Sequence, residues 1–240
     1  MEIIKDKING EMEVFSNLIK TLNGIGIKYK IKGNILLHFI KYSKNYYKYF
    51  NSVDNLDLNA KYKNIDDVID IFRVIDPMCV VLTTKDSRIR RIVNLNIYNI
   101  DYVEVDNEED IIIEDEFTEI YNLNGQTFYG NSIEEIFKDK IESISTKTVQ
   151  IKSKDIIGLY ILKNMLLIND DEFIKILDKY KDGNFEYIKE KNCKRAMQLY
   201  DGIESEGQSI AEDAYNLICM SVSKLLGEKI ELKPGGFLWK

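Results

Sequence analysis

The sequence predicts a mixed α/β core followed by a helical region. Strand-like and helix-like patterns alternate through the first 130 residues, whereas helical spacing dominates from there onward. With 240 residues and 45% hydrophobic residues, the chain is large enough to bury a sizeable core. We therefore expect an α/β core over residues 1–130 and a helical domain over residues 131–240, without a low-complexity linker.

The first helix is predicted by apolar residues that recur three and four positions apart and end before Asn23-Gly24. These residues are Met12, Phe15, Leu18, Ile19 and Leu22. An alternating strand follows over residues 27–31, and Gly33 breaks it. Asn34 is the predicted N-cap of a second helix that extends to about Tyr49.

A second strand is predicted over residues 55–59, where apolar and polar residues alternate. Leu56 and Leu58 are expected to face the core. The opposite face then carries Asn55, Asp57 and Asn59. Beyond it we predict a helix over residues 65–75, a buried strand over 78–83, an alternating strand over 91–98 and an acidic edge strand or loop over 106–119.

The helical domain begins with a capping-box pattern, in which Ser132 is the N-cap and Glu135 follows three residues later. This first helix is predicted to end near Ser145. Further helices are predicted over residues 155–168, 171–180, 185–201 and 209–226.

Composition excludes several classes of protein. The net charge of −7 argues against a general nucleic-acid-binding surface, so any phosphate site must be a local basic patch. The three cysteines lack the spacing of a zinc site or a disulfide framework. The start is charged, and no apolar run approaches the roughly 18 residues of a membrane span. We expect a cytoplasmic protein without an export signal or a membrane contact.

Three stretches could carry chemistry. Lys32-Gly33-Asn34 lies at a strand end that opens a helix, where exposed amides and a small residue suit a phosphate. Asp57, with the nearby Asp54, offers carboxylates for Mg²⁺, and two such ions support in-line nucleotidyl transfer. The polar face of the 91–98 strand would complete a metal site, but it carries Asn94 and Asn96.

The order of these stretches resembles the AbiEii/AbiGii-type nucleotidyltransferases. The resemblance rests on Lys-Gly-x at a strand end, a strand with x-D-x-D-L, and the later SIEEIFKDKIESI and KSKDIIGLYIL, and it covers residues 25–168. It implies a DNA polymerase β-like nucleotidyltransferase core with an appended helical domain. Many members of that family are toxins of bacterial toxin–antitoxin or phage abortive-infection systems.

The resemblance also implies roles for particular residues. Gly33 and Asn34, preceded by Lys32, match the turn that meets the nucleotide phosphates. Asp57 matches the second metal carboxylate, whereas Asn55 stands at the first, beside Asp54. Lys140 matches a lysine that contacts the triphosphate, and Lys154-Asp155 matches a late basic-acidic motif whose second acid is Gly158 here.

Two hypotheses follow. In the first, the chain is a Mg²⁺-dependent enzyme that transfers a nucleotidyl group from an NTP to tRNA or to a protein hydroxyl, and a cognate antitoxin relieves its toxicity. In the second, the chain is a catalytically degenerate binding module, because Asn at two expected carboxylate positions removes charge that would balance Mg²⁺. Asp54, Asp101 and Glu104 are the acids that could take these places after a one-residue change of register.

Other residues leave alternatives open. Lys85, Arg88, Arg90 and Arg91 could converge with Lys41, Lys44 and Lys48 into a phosphate or RNA patch, or they could form separate solvated faces. His38, the sole histidine, lies on an apolar helix, which favours a buried and satisfied side chain over a catalyst.

Overall fold

The computed structural model describes most of the α/β region and of the helical region. The described residues are 2–24, 28–44, 55–60, 70, 72–74, 76–83, 85, 89–93, 102–107, 115–146, 153–180, 185 and 205–227. The chain divides into two compact units, Met1–Ile136 and Phe137–Lys240. We call them the sheet unit and the helical unit.

The sheet unit contains two long helices and seven strands. They are α1 (Glu2–Gly24), β1 (Tyr29–Lys32), α2 (Gly33–Ser43), β2 (Asn55–Ala60), β3 (Val80–Thr83), β4 (Ile89–Val93), β5 (Tyr102–Asn107), β6 (Thr118–Leu123) and β7 (Gln126–Asn131). Asp70 and residues 72–74 are also helical, within the predicted 65–75 helix.

The seven strands form one mixed sheet in the order β3-β4-β5-β2-β1-β7-β6. β1 runs parallel to β7, and β2 runs parallel to β5. The four remaining neighbouring pairs are antiparallel. The central strands β1, β2 and β5 therefore each have a hydrogen-bonded strand on both sides. Backbone hydrogen bonds alone fix the positions of these strands.

The core of the sheet unit includes the apolar face of α1 and residues 35–41 of α2. The five predicted apolar residues of α1 are at most 4% exposed, which confirms the predicted face. Phe39 of α2 packs against Phe128 of β7 with ring centroids 5.3 Å apart, and Phe15 of α1 meets the same ring at 5.6 Å. These aromatic contacts hold both helices against β7.

Three local predictions differ from the structure. β3 was predicted to be buried, but it is an edge strand on which Val80 is 43% and Leu82 is 45% exposed. α2 ends at Ser43, earlier than the predicted end near residue 49. Neither β5 nor the β6–β7 hairpin was predicted as a separate element, although both alternate in sequence.

The β6–β7 hairpin turns at Asn124 and Gly125, whose φ values are 51° and 80°. Positive φ at both central residues is typical of a type I′ turn, for which Asn-Gly is the preferred sequence. The turn is closed further by the amide of Gly125, which donates to Asn122 Oδ1 at 3.2 Å.

Within the residues that the structure describes, the helical unit contains α3 (Ile133–Thr146), α4 (Ser153–Met165), α5 (Asp170–Asp178) and α6 (Ser205–Leu225). α3 begins in the sheet unit, where Ser132 Oγ accepts the amide hydrogen of Glu135 at 3.2 Å, as the capping-box pattern predicts. Asn169 caps α5 by accepting the amide hydrogen of Glu172 at 2.9 Å. None of the described helices has the length and apolar character that crossing a bilayer requires.

Candidate functional site

The turn between β1 and α2 has the backbone geometry that a phosphate site requires. Gly33 adopts a φ of 75°, so β1 passes directly into α2 without a linking residue. Lys32 is the N-cap in extended conformation, and it makes no side-chain capping bond. The prediction of Asn34 as N-cap is therefore wrong: the sharp turn at Gly33 starts the helix earlier, and Asn34 is its second residue.

The first turn of α2 also contains no acidic residue. The amides that begin a helix carry partial positive charge, and acidic side chains there compete with anions for them. Lys32 adds a partly buried cation at the same place. The β1–α2 turn can therefore accept an anionic group at its amides.

Across the sheet, Asp57 lies beside this turn. It is the Cα partner of Lys32 on the antiparallel strand β1. On its other side Asp57 is the Cα partner of Glu104 on the parallel strand β5. Neighbouring strands are about 4.8 Å apart, and residues in register lie on the same face of the sheet. Lys32, Asp57 and Glu104 thus form a row at one end of β1.

β4 extends this row by one more residue. Arg91 is the Cα partner of Glu104 on the antiparallel pair β4–β5. The four residues Lys32, Asp57, Glu104 and Arg91 are called the charged row below. Its order across the strands is cation, acid, acid, cation.

The strand next to β2 is β5, which sequence reasoning did not identify. The alternating segment Tyr102-Val-Glu-Val-Asp-Asn107 carries the signal for a strand. We expected the third carboxylate position on the 91–98 strand, but β4 pairs with β5 and not with β2. Asn94 and Asn96 lie outside the described residues, as do Asp54 and Asp101. Glu104, one of the alternatives considered, occupies the position opposite Asp57.

The charged row contains two acidic residues whose backbone positions the structure describes. Mg²⁺ in nucleotide sites is typically bound by one or two carboxylates together with phosphate oxygens and water. Asp57 and Glu104 lie on adjacent strands, and Asn55 stands where the resemblance expects a further acid. Among the side chains that the structure describes, no group of three or more His, Cys, Asp or Glu is placed to hold a metal.

The helical unit contains the other candidate residues that the resemblance marks. Lys140 of α3 and Asp155 of α4, both predicted from the resemblance, meet with Nζ and Oδ1 3.3 Å apart. Their side chains are only 11% and 8% exposed. The third position of α4 places the Asp155 carboxylate in the first turn, where the helix dipole favours a negative charge. Of Lys154, only the backbone in the same turn is described.

This ion pair lies where water hardly reaches, because both side chains are buried. Lys140 Nζ donates a hydrogen bond to Asp155 Oδ1. This contact helps to fix the position of the ammonium. Such a lysine can neutralise phosphate charge.

Other candidates are accounted for structurally. His38 is 2% exposed, which confirms a buried side chain, and its Nε2 lies 3.1 Å from Glu11 Oε2. Lys41 is 5% exposed, so it does not belong to a solvated basic patch. Arg88 and Lys48 lie outside the described residues.

The class of fold is defined by a strand, a glycine turn, a helix and a neighbouring strand that carries an acidic residue. No protein-family model matches the sequence, and no curated protein matches it. JHP933 from Helicobacter pylori is similar in structure, with 14% identity over 92% of this chain and 94% of that chain and a TM-score of 0.51. The antibiotic-resistance factor ANT(2'')-Ia is similar with 11% identity over 71% of this chain and 91% of that chain and a TM-score of 0.50.

Both structures belong to nucleotidyltransferase-like proteins. At these sequence identities, the structural similarity shows the fold. It does not show the activity or the substrate. The chain therefore has a nucleotidyltransferase fold with a mixed sheet, which confirms the predicted fold class. The particular AbiEii/AbiGii relationship remains a prediction.

Proposed function

We propose that the chain is a Mg²⁺-dependent nucleotidyltransferase of the AbiEii/AbiGii type. It transfers a nucleotidyl group from an NTP to an acceptor, for which the resemblance suggests tRNA or a protein hydroxyl. The observation that carries the proposal is the charged row, because Asp57 and Glu104 are in register on adjacent strands beside the Gly33 turn. In this proposal the Gly33 turn is the phosphate cradle, and the two acids beside it are the metal site.

Each residue has a separate task in this proposal. The amides that follow Gly33 bind phosphate oxygens, because glycine lets the backbone approach closely. Asp57 and Glu104 hold Mg²⁺, with Asp54 as a further acid near Asp57. For Lys140 and Lys154 the resemblance implies the neutralisation of triphosphate charge. Asp155 is a positioning residue that acts through Lys140.

The reaction is an in-line displacement. The acceptor oxygen forms a bond to the α-phosphorus, the bond to the bridging oxygen breaks, pyrophosphate leaves with the electron pair, and the hydroxyl proton passes to solvent. Bound Mg²⁺ supplies charge neutralisation at the phosphates. The protein contributes mainly positioning and fixed positive charge, which are the main sources of rate in phosphoryl chemistry.

The biological role follows from the family resemblance. We propose a toxin or an abortive-infection component of a bacterium or its phage, active in the cytoplasm, that arrests growth during phage defence and is relieved by a cognate antitoxin. Expression from a tight promoter, with and without Asp57→Asn, tests this role. Growth arrest by the wild type alone supports it, and equal growth of both contradicts it.

The enzymatic proposal is tested with NTPs labelled at the α-phosphate, incubated with Mg²⁺ and bacterial RNA or protein. Asp57→Asn and Glu104→Gln are expected to lower transfer about a thousandfold, because each removes a carboxylate from the metal. Asn59→Ala and Asp106→Asn are matched controls, since each lies two residues further along the same strand. Equal losses in controls and test variants would contradict the assignment.

A catalytically degenerate binding module is the second candidate. The observation that favours it is Asn55, which leaves two acids where three are expected. This candidate predicts Mg²⁺-dependent NTP binding that Asp57→Asn abolishes, without label transfer to any acceptor. Isothermal titration of each NTP distinguishes the enzyme and the binding module, which both bind NTP, from a protein that does not bind nucleotides.

A further inference from the structure

A second concave site lies within the helical unit. A pocket of about 460 Å³ is enclosed by α4, α5 and α6. Tyr160, Lys163 and Asn164 line it from α4, at the spacing of one helix face. Lys163 is eight residues beyond Asp155, or about 12 Å along the helix axis, so the pocket is separate from the Lys140–Asp155 pair.

Two buried polar side chains face this pocket. Lys163 is 6% exposed and contacts Asp170 with Nζ and Oδ1 2.8 Å apart. Its ammonium has three hydrogens, of which the contact with Asp170 uses one. Ser221 of α6 is 2% exposed, and its hydroxyl can both donate and accept. The two side chains offer hydrogen-bonding groups to a polar occupant of the pocket.

The charges of the lining cancel. Lys163 and Lys224 are balanced by Asp170 and Asp213. A triphosphate would meet both carboxylates, so a multiply charged anion is disfavoured. The chemistry of the lining instead suits a ligand that is neutral overall and rich in hydrogen-bonding groups.

The remaining lining side chains narrow the class of ligand. Asn164 and Asn216 each offer an amide donor and an amide acceptor, the pattern by which proteins pair with the edges of nucleobases. Tyr160 offers an aromatic ring, and Leu217 adds an apolar surface. Flat bases pack on such rings. Pockets of this volume fit ligands of nucleoside size.

We infer that this pocket binds a nucleoside, either free or as an unpaired nucleotide of a strand. The base lies against Tyr160, its edge pairs with Asn164 and Asn216, and the sugar hydroxyls accept from Lys163 and Ser221. This site goes beyond the proposed nucleotidyl transfer. It uses neither the charged row nor Mg²⁺.

Isothermal titration of the four ribonucleosides into the full chain, in EDTA, tests the inference. At least one nucleoside is expected to bind, and its triphosphate is expected to bind more weakly under the same conditions. The double variant Asn164→Ala, Asn216→Ala should weaken nucleoside binding about tenfold or more, because two hydrogen bonds are lost. Lys175→Ala on α5, outside the pocket lining, should leave it unchanged.

Ser221→Ala is a milder second variant, expected to weaken binding several-fold, in case the double variant does not fold. Asp57→Asn should leave nucleoside binding intact, so failure of the proposed enzyme and failure of this site give different results. A short single-stranded oligonucleotide that binds more tightly than the nucleoside assigns the pocket to a strand; equal affinity assigns it to the free nucleoside. Absence of binding by all four nucleosides, or binding that none of the pocket variants weakens, overturns the inference.

Discussion

Lys30 of the sheet unit and Lys140 of the helical unit are buried lysines that each meet an aspartate, but the two pairs differ in how far water reaches the carboxylate. In the sheet unit, Lys30 Nζ lies 3.0 Å from Asp115 Oδ2, with side chains 7% and 31% exposed. In the helical unit, Lys140 and Asp155 are 3.3 Å apart, with side chains 11% and 8% exposed. The Asp115 carboxylate is partly exposed to solvent, whereas the Asp155 carboxylate is almost entirely surrounded by protein.

The surroundings of Asp115 indicate a structural role. Its Oδ1 accepts the Thr118 hydroxyl at 2.6 Å and the Phe117 amide at 2.9 Å, so the carboxylate organises the turn that starts β6. Asp155 instead lies in the first turn of α4, opposite a lysine from another helix. The comparison teaches that a lysine–aspartate contact alone does not mark a functional site. Deep burial of both partners, at a position that the resemblance also marks, is the stronger indication.

The largest expected difference comes from removing the buried carboxylate. Asp155→Ala leaves the ammonium of Lys140 in a buried position without this carboxylate, which should lower the free energy of unfolding by about 3–5 kcal/mol. Replacing both partners by apolar residues, Lys140→Met with Asp155→Leu, should recover most of that loss. Urea unfolding followed by circular dichroism measures both.

The control for this experiment is Glu142→Ala, an exposed acid on the same helix as Lys140. It should change stability by less than about 0.5 kcal/mol. If the single and double variants are equally destabilised, the pair does not couple as the geometry indicates. If the double variant is stable but inactive in nucleotidyl transfer, the pair is functional rather than structural.

A smaller loss is expected from Asp115→Ala. Lys30 is as buried as Lys140, but the open side of Asp115 lets water approach the ammonium once the carboxylate is gone. We expect a loss of about 1–3 kcal/mol in the free energy of unfolding, from the same urea measurement. A loss equal to or above that of Asp155→Ala would show that carboxylate exposure does not decide the cost.

The sequence predicts local features of this molecule well. The apolar face of α1 follows from the spacing of Met12, Phe15 and their neighbours, because helix periodicity is set within the helix itself. The Ser132 cap follows from a four-residue pattern. Lys140 and Asp155 were identified separately through the family resemblance, and their contact joins two different helices, which the sequence pattern of either helix does not predict.

The sequence does not predict which strands become neighbours. β5 follows β4 in the chain but pairs on its other edge with β2, so Glu104 reaches its place through a non-local connection. The Lys30–Asp115 contact joins residues 85 positions apart for the same reason. Periodicity describes one element at a time, whereas register depends on the whole sheet. The Asn124-Gly125 turn, by contrast, has a local sequence signal from which it could have been predicted, but this signal was overlooked.

A smaller effect is expected when one hydrogen bond to Asp115 of the Lys30–Asp115 pair is removed. Thr118→Val keeps the shape of the side chain but deletes the hydroxyl that donates to Asp115 at 2.6 Å. The expected loss is about 1 kcal/mol in the free energy of unfolding, measured in urea. Thr127→Val on β7, whose side chain is exposed, is the matched control and should change stability less. Equal effects of the two substitutions would mean that this hydroxyl contributes nothing specific.

The smallest effect is a pH dependence of the Lys30–Asp115 pair in acid. Burial alone raises the pKa of Asp115, but hydrogen bonds from Thr118 and Lys30, the charge of Lys30 and the Phe117 amide outweigh it and lower the pKa. A carboxyl group with a lowered pKa stabilises the fold fully above its unfolded value of about 3.9, and the contribution disappears as pH falls through the folded value. The stability difference between wild type and Asp115→Asn should therefore be constant from about pH 7 to about pH 5 and shrink below about pH 4. Urea midpoints at a series of pH values measure it, and a difference that stays constant into the acid range would show that the charge of Asp115 does not contribute.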